Sequence, residues 1–416
     1  MFMKQVHIES EIGRLRKVIL HTPGPEVEAM TPQEAEKDLY NDIVPLEAVQ
    51  REHRMLQQFL SSVASAYELV DLLADCLEND GNRKEFLDEY AKYYPISIVS
   101  DYMMSMPARE LARALLTGIQ APSNSLSSHL ESHSFAARPL PNAYFMRDSM
   151  AVVGSRIISS AFAFDVRMAE ACITRFIFRR HPEFHNAGLI FDGPEERNRL
   201  MTIEGGDIHV LSPEVLAIGI SERTTAFAID RVARNLAHQE GRPVSIFAVD
   251  LPKERATIHL DMVFTMIDRN AALAYKPIMT GPNRVSVYRI DSRPDGTISY
   301  AQEDSLFSGL RRAGIDLEPI FCGNGKSVIQ EREQWLSGAN SFAFAPGKIL
   351  MYSCNRHTLD ALSQKGFDIV HAEDFIKGKD NPDRHSRLVV AFDGIELARG
   401  GGGARCMTLP VLRDPL

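Results

Sequence analysis

Ser212-Pro213-Glu214-Val215-Leu216-Ala217-Ile218-Gly219, followed by Arg223 and Thr225, is echoed by Ala345-Pro346-Gly347-Lys348-Ile349-Leu350-Met351-Tyr352, followed by Arg356 and Thr358. In each copy the proline stands ten residues before the arginine and the threonine two after it. Each reads as an apolar strand, a turn, a second apolar strand and a helical pattern behind the arginine. A third unit, with Gly154-Ser155 at its turn and Arg167 at the start of a helix, fits the same scheme more loosely. Units that recur in this way predict a stacked or radial array of α/β modules, because no single unit can bury its apolar face alone.

Towards the N-terminus, residues 11–24 alternate apolar and polar ahead of Pro23-Gly24, which predicts an opening strand. Leu46, Val49, Leu56 and Phe59 recur near helical spacing behind Pro45. From about Leu72 to Pro139 the pattern is helical, with residues 84–94 and 107–119 as candidate helices. Ser105 is placed to cap the second, Pro107 suits its first turn, and Glu110 suits the positive end of its dipole. Residues 122–141, rich in Ser, Pro and His, lead out of the block. Residues 75–140 therefore read as a helical bundle inserted into a modular part made of 1–74 and 141–416.

The 416 residues are 44% hydrophobic and 24% charged, which suits a soluble chain with a large core. A net charge of −9 argues against a nucleic-acid partner, whose phosphates need basic patches, and favours a small cation. Apolar stretches fall short of the ~20 residues of a membrane span, and no apolar signal core follows Met1, so a cytoplasmic location away from membranes is expected. The five cysteines, Cys76, Cys172, Cys322, Cys354 and Cys406, are scattered and never form a C-x-x-C pair, which favours neither disulfides nor a zinc ribbon.

Cys406 stands apart from the other four. It follows the run Gly400-Gly401-Gly402-Gly403, which predicts a flexible loop able to approach a ligand and to open and shut over a pocket. Taken alone, the run reads as a linker before a terminal strand. Ile258-His259-Leu260-Asp261-Met262-Val263-Phe264 reads as a buried strand, in which period 2 puts His259 and Asp261 on one face. Glu204-Gly205-Gly206-Asp207 carries a carboxylate at each end of a turn, and Asn142-Ala143-Tyr144-Phe145-Met146-Arg147-Asp148 sets aromatic residues beside an Asp at a strand end. Each of these has an ordinary structural explanation by itself: a hydrogen-bonded core histidine, a surface turn, a cross-strand ion pair. Metal binding fares poorly, since His181-Pro182-Glu183-Phe184-His185 lacks the spacing and the helix of a zinc site. Together, one thiol, one imidazole and several carboxylates suit chemistry on a guanidinium, with Asp as its bidentate partner and Glu orienting the His.

In these residues the chain closely resembles bacterial arginine deiminases. Seven segments follow in family order: Ser-Glu-Ile-Gly-Arg-Leu-Arg-Lys-Val-Ile-Leu-His-x-Pro-Gly, Asn-x-x-Phe-x-Arg-Asp, Glu-Gly-Gly-Asp, Gly-x-x-Glu-Arg at Gly219 to Arg223, His-Leu-Asp-x-Val-Phe, Glu-Arg-Glu-Gln-Trp at 331–335, and Gly-Gly-Gly-Ala-Arg-Cys-Met-Thr. The resemblance implies an α/β fold, a fivefold pseudo-symmetric α/β propeller of ββαβ modules with an inserted helical domain. It implies hydrolysis of L-arginine to L-citrulline and ammonia with no cofactor and no metal, in a homo-oligomer, dimer or tetramer. It carries over Cys406 as nucleophile, His259 as general acid and base, Glu204 as its partner, and Asp148 and Asp261 as holders of the guanidinium. Asn142, Phe145, Arg167, Asp207 and Arg223 match substrate-binding positions, the arginines being suited to the substrate carboxylate. Other enzymes of the same fold, an agmatine or peptidyl-arginine deiminase, a dimethylarginine hydrolase or an amidinotransferase, are the nearest alternatives; a non-catalytic binding protein on such a scaffold is a further one. The chain departs from the family at Thr22, where many members have Arg, and at Gly401, where several have Arg or Met.

Overall fold

The structure, a computed structural model, describes residues 5–94, 96, 100–122, 126, 129 and 135–416. Among them the strands form six sheets, and five of these repeat one pattern: a strand paired antiparallel on one side and parallel on the other. The central strands are Leu15–Leu20, Arg156–Ser159, Val215–Ile220, Ala271–Ala274 and Lys348–Tyr352. Their parallel partners are Ser65–Glu68, Gly188–Asp192, Val244–Asp250, Glu318–Phe321 and Leu388–Phe392. A parallel pair needs a long crossover, and helices supply it: Leu46–Val63, Met168–Arg180, Ala226–Glu240, Leu306–Arg312 and Arg356–Gln364. The opening strand Leu15–Leu20 pairs antiparallel with the last one, Leu409–Arg413, so the two ends of the chain share a sheet.

The repeat read at Pro213 and Pro346 lies where the sequence predicts, each proline turning between two strands of a hairpin. The threonines part company. Thr225 caps helix Ala226–Glu240, whereas Thr358 lies inside helix Arg356–Gln364 and donates its hydroxyl to Glu333 Oε2 (2.6 Å). Arg223 is thereby left ahead of its helix, free to project, while Arg356 forms the first residue of the other.

The helical block comprises Leu69–Leu77, Asp80–Tyr90, Ser100–Ser105 and Ala108–Thr117. The second of these starts before residue 84 because the Asn79 side chain accepts from Asn82 N–H, an N-cap the periodicity did not reveal. Ser105 does not cap the helix after it: its hydroxyl donates to the Tyr102 carbonyl at 2.7 Å, and Pro107 occupies the cap position. Half of the Ser-, Pro- and His-rich exit at 122–141 lies outside the described residues. Phe86 meets Phe176 edge-on at 5.0 Å, so the block shares one apolar cluster with helix Met168–Arg180. A second large cluster gathers the opening strand, helix Leu46–Val63 and the strands after Phe264. Met146 belongs to the first and Phe145 and Cys406 to the second, so the catalytic candidates stand where the two meet. No helix among the described residues is long and apolar enough to cross a membrane.

Candidate active site

Glu204 is extended, and Gly205–Asp207 form a 3-10 turn that opens into strand Ile208–Ser212. Both glycines are required by closeness: a Cβ on Gly205 would lie 2.1 Å from the Arg147 carbonyl oxygen, and one on Gly206 2.4 Å from His259 Nδ1. The turn thus lies against the imidazole, and Glu204 Oε2 reaches His259 Nε2 at 2.8 Å. Asp207 is fully buried; its Oδ1 accepts from Leu260 N–H (2.9 Å) and its Oδ2 from the Ser221 hydroxyl (2.7 Å).

Asp207 also explains why residues 258–264 are not the strand that alternation predicts. A 3-10 turn at Arg255–Thr257 precedes the segment, a second at Leu260–Met262 lies within it, and a strand begins only at Phe264. The backbone N–H of Leu260 is taken by a carboxylate instead of a neighbouring strand, and that of Met262 by the His259 carbonyl. His259 and Asp261 still face one site, brought there by the turn rather than by a two-residue period. Likewise Asn142 to Asp148 is no strand end: Met146–Ser149 is a single helical turn leading into strand Met150–Val153.

The glycine run is close-packed, contrary to the flexible loop predicted. Gly400 ends helix Ile395–Gly400, and Gly402 and Gly403 are buried. A Cβ on Gly400 would fall 2.3 Å from Tyr144 Oη, on Gly402 2.4 Å from Phe145 Cε1, and on Gly403 2.6 Å from the Asn340 carbonyl oxygen. Glycine is there because neighbours crowd the backbone. Gly401 alone has a positive φ in the run, +101°.

Asn340, which the sequence reading passed over, holds the nucleophile candidate. Its Oδ1 accepts from the backbone N–H of Arg405 (3.0 Å) and Cys406 (3.2 Å), and its Nδ2 lies 3.1 Å from Cys406 Sγ. A single asparagine in a loop carries no pattern of its own. Asp261 Oδ2 stands 3.7 Å from the same sulfur and pairs with Arg405 Nη1 at 2.9 Å, while Glu11 grips the far side of that guanidinium. Asp148 sends Oδ2 to Arg167 Nη1 (2.6 Å) and leaves Oδ1 3.5 Å from His259 Nδ1. Arg167 is further held by Glu170, and Arg223 Nη1 lies 3.5 Å from Glu204 Oε2.

A narrow cavity is lined by Asn142, Phe145, Asp148, Arg167, Arg223, His259 and Cys406. Beside them stand Leu39, Arg255, Ile258, Gly400 and Gly401, none singled out by pattern except the glycines. Leu39 has φ +65°, a conformation costly for a branched side chain, and its neighbour Asp38 accepts from Asn142 Nδ2 through its carbonyl (2.8 Å). Glu204 and Asp207 do not line the cavity; they lie behind residues that do, whereas Asp261 borders it beside the nucleophile candidate, its Oδ1 3.9 Å from Cys406 Sγ.

The electrostatics follow from burial and neighbours. Burial, with Asp261 and Asp148 beside it, holds the Cys406 thiol well above its ordinary range. His259 would be lowered by burial, but Asp148 and the Glu204 hydrogen bond outweigh this and raise it to about 9. Glu204 is resisted by burial yet brought down to about 2 by Arg223 and His259, while burial lifts Asp207 to about 6. The site therefore holds an imidazolium flanked by carboxylates beside a neutral thiol.

The profile of the arginine deiminase family matches residues 37–413. Proteins named arginine deiminase from Pediococcus pentosaceus, Limosilactobacillus fermentum and Lactococcus lactis subsp. cremoris are 34%, 34% and 32% identical to this chain, each over 99% of both sequences. In fold, the chain is similar to the N-terminal domain of ArgZ, an arginine dihydrolase from cyanobacteria, with TM-score 0.53 at 14% identity over 95% of this chain and 97% of that one. It is similar also to SxtG, an amidinotransferase from Microseira wollei, with TM-score 0.55 at 14% identity over 99% and 98%. A profile spanning nearly the whole chain, together with relatives matched from end to end, establishes that this mixed α/β protein belongs to the arginine deiminase family.

Proposed function

We propose that the protein hydrolyses L-arginine to L-citrulline and ammonia through a covalent intermediate on Cys406. The observation that carries this is the setting of one thiol, Cys406, in a cavity between Asp148 and Asp261, each of which gives one carboxylate oxygen to a protein arginine and keeps the other towards the site. A substrate guanidinium accepts that invitation with one N–H to each Asp, so the contact is one-sided at each rather than bidentate. Its positive charge stabilises the thiolate that the carboxylates otherwise suppress, which makes ionisation substrate-driven: the thiol proton leaves to solvent, since His259 already carries one, and is recovered when the released ammonia becomes ammonium. The sulfur attacks the guanidinium carbon, His259 gives its proton to the departing amine, and ammonia leaves a planar thiouronium. The neutral imidazole then takes a proton from water, whose attack returns the thiol and releases citrulline. Glu204 keeps His259 oriented and charged, and Asp207 acts from behind by pinning the turn at Leu260. Asn142 and Phe145 bound the cavity, and Arg223 suits the α-carboxylate.

The five repeated sheets, with the first and last strands joined, support a fivefold pseudo-symmetric propeller made of residues 1–74 and 141–416 with 75–140 inserted. We further infer a cytoplasmic homo-oligomer, dimer or tetramer. The test of the activity is release of ammonia from arginine and agmatine, assayed side by side, with citrulline as the product of the first and N-carbamoylputrescine as that of the second. Release from arginine is expected; no citrulline, or a preference for agmatine, would overturn the reading.

A further inference from the structure

Helix Ser327–Trp335 carries the Glu-Arg-Glu-Gln-Trp segment, to which the proposed reaction gives no task. The turn behind it is tightly built. Gly338 N–H donates to the Glu333 carbonyl (2.7 Å), Asn340 N–H to the Ser337 carbonyl (3.0 Å), and Asn355 Nδ2 to the Leu336 carbonyl (3.0 Å). Ser337 has φ +60°, and a Cβ on Gly338 would fall 2.7 Å from the Glu333 carbonyl oxygen, so crowding fixes the chain as firmly as its hydrogen bonds do. At the end of this turn stands Asn340, fully buried.

Its neighbours settle which way its amide points. Oδ1 faces the backbone N–H groups of Arg405 and Cys406, which can only donate, so the other end is the NH2 group. One of its hydrogens serves the Asp261 carbonyl (3.2 Å), and the second is directed to Cys406 Sγ (3.1 Å), with Met262 Sδ farther off at 3.8 Å. Resting on the reaction proposed above, we propose that Asn340 is a catalytic residue whose Nδ2–H stabilises the sulfur of Cys406 as a thiolate. A donor binds a charged acceptor about twice as strongly as a neutral one, so this contact favours S⁻ over S–H. Sulfur carries that charge twice in the cycle: before it attacks, and again when the C–S bond breaks, its electron pair returns to sulfur, and the hydroxyl proton of the adduct restores the thiol. The donor is already in place at both moments, so no reorganisation opposes it. It is also neutral, whereas a cation in its place would repel the substrate guanidinium. Around the same sulfur, Asp261 and Asp148 oppose ionisation, Arg405 and a backbone hydrogen bond from Gly403 favour it, the phenols of Tyr144 and Tyr352 lie near, and His259 shares the cavity.

The test compares wild-type protein with Asn340→Ala in two measurements. In the first, kcat for arginine should fall about 100-fold, the usual loss for one such donor, with KM changed less than about threefold. In the second, alkylation of Cys406 by iodoacetamide without substrate is followed by peptide mass between pH 8 and 10. At any one pH its rate should fall about 10- to 100-fold, since less of the thiol is ionised. A merely structural role predicts the reverse, because alanine opens space beside the sulfur. Asn340→Asp keeps the oxygen that holds the two backbone N–H groups but removes the donor, and should lose as much in both measurements; it carries the comparison should the alanine variant fail to fold. Alkylation as fast as or faster than in the wild type, or an aspartate variant with near wild-type kcat, overturns the inference. Alkylation needs no turnover, so it judges Asn340 separately: wild-type protein that releases no citrulline from arginine would overturn the proposed function, whatever the thiol does.

Discussion

Cys406 is held between two carboxylates that discourage its ionisation, yet the reaction needs it as a thiolate. Replacing it with serine, whose hydroxyl ionises far less readily, should leave less than about 1% of turnover while far-UV circular dichroism and the unfolding midpoint stay in place. Retention of more than a few per cent would remove the nucleophile role. The histidine offers a sharper measurement. Turnover needs His259 protonated, and with its pKa raised to about 9 the rate should fall on the alkaline side as that proton is lost. Glu204 stabilises the imidazolium, so Glu204→Gln should move the alkaline limb of kcat to lower pH; a limb that stays or rises would reassign Glu204 to binding alone. Arg223→Ala should cost about 1.5–3 kcal/mol for arginine and little for agmatine, read from kcat/KM of each.

At the scale of elements, the site depends on turns that press against one another. The turn Gly205–Asp207 leaves no room for a methyl group beside His259 Nδ1. Gly206→Ala should therefore displace the imidazole and lower kcat by about 100-fold, the penalty of a misplacement near 1 Å, with the fold retained by circular dichroism. Undiminished kcat would show that the turn can retreat. Sequence reading found this element, both its carboxylates and the strand that follows, because acidic turns and apolar runs are local features. It could not tell that the glycines of this turn, or those at 400–403, are needed for close approach, since crowding by Tyr144, Phe145 and Asn340 comes from distant parts of the chain. The segment 258–264 misled for a related reason: a strand period is visible locally, whereas the Asp207 carboxylate that takes the Leu260 N–H lies 53 residues away.

Across the whole molecule, the helical block and the α/β modules share an apolar cluster through Phe86 and Phe176. Phe86→Ala should cost about 3–5 kcal/mol and lower the stability of the protein as one cooperative transition in chemical denaturation. A separate early transition with deiminase activity intact would show instead that the block melts by itself. The joined ends of the chain bear on the same point: Leu15–Leu20 and Leu409–Arg413 form one ladder, so Glu11 near one terminus can hold Arg405 beside the nucleophile near the other.

The sequence by itself determined which chemistry the chain can carry: the thiol, the imidazole, the carboxylates, and the α/β repeat that Pro213 and Pro346 mark out. Those signals are legible because residue type and short-range period record them directly. Tertiary structure alone decided the partners. It committed Arg167 to Asp148 and Glu170, set Asn340 under Cys406, withdrew Asp207 to a supporting position, and brought Arg255 to the cavity. Apart from the neighbouring pair Arg167–Glu170, the contacts named here join residues well separated in sequence, and their energy depends on distance and burial, quantities that exist only once the sheets have assembled around the site.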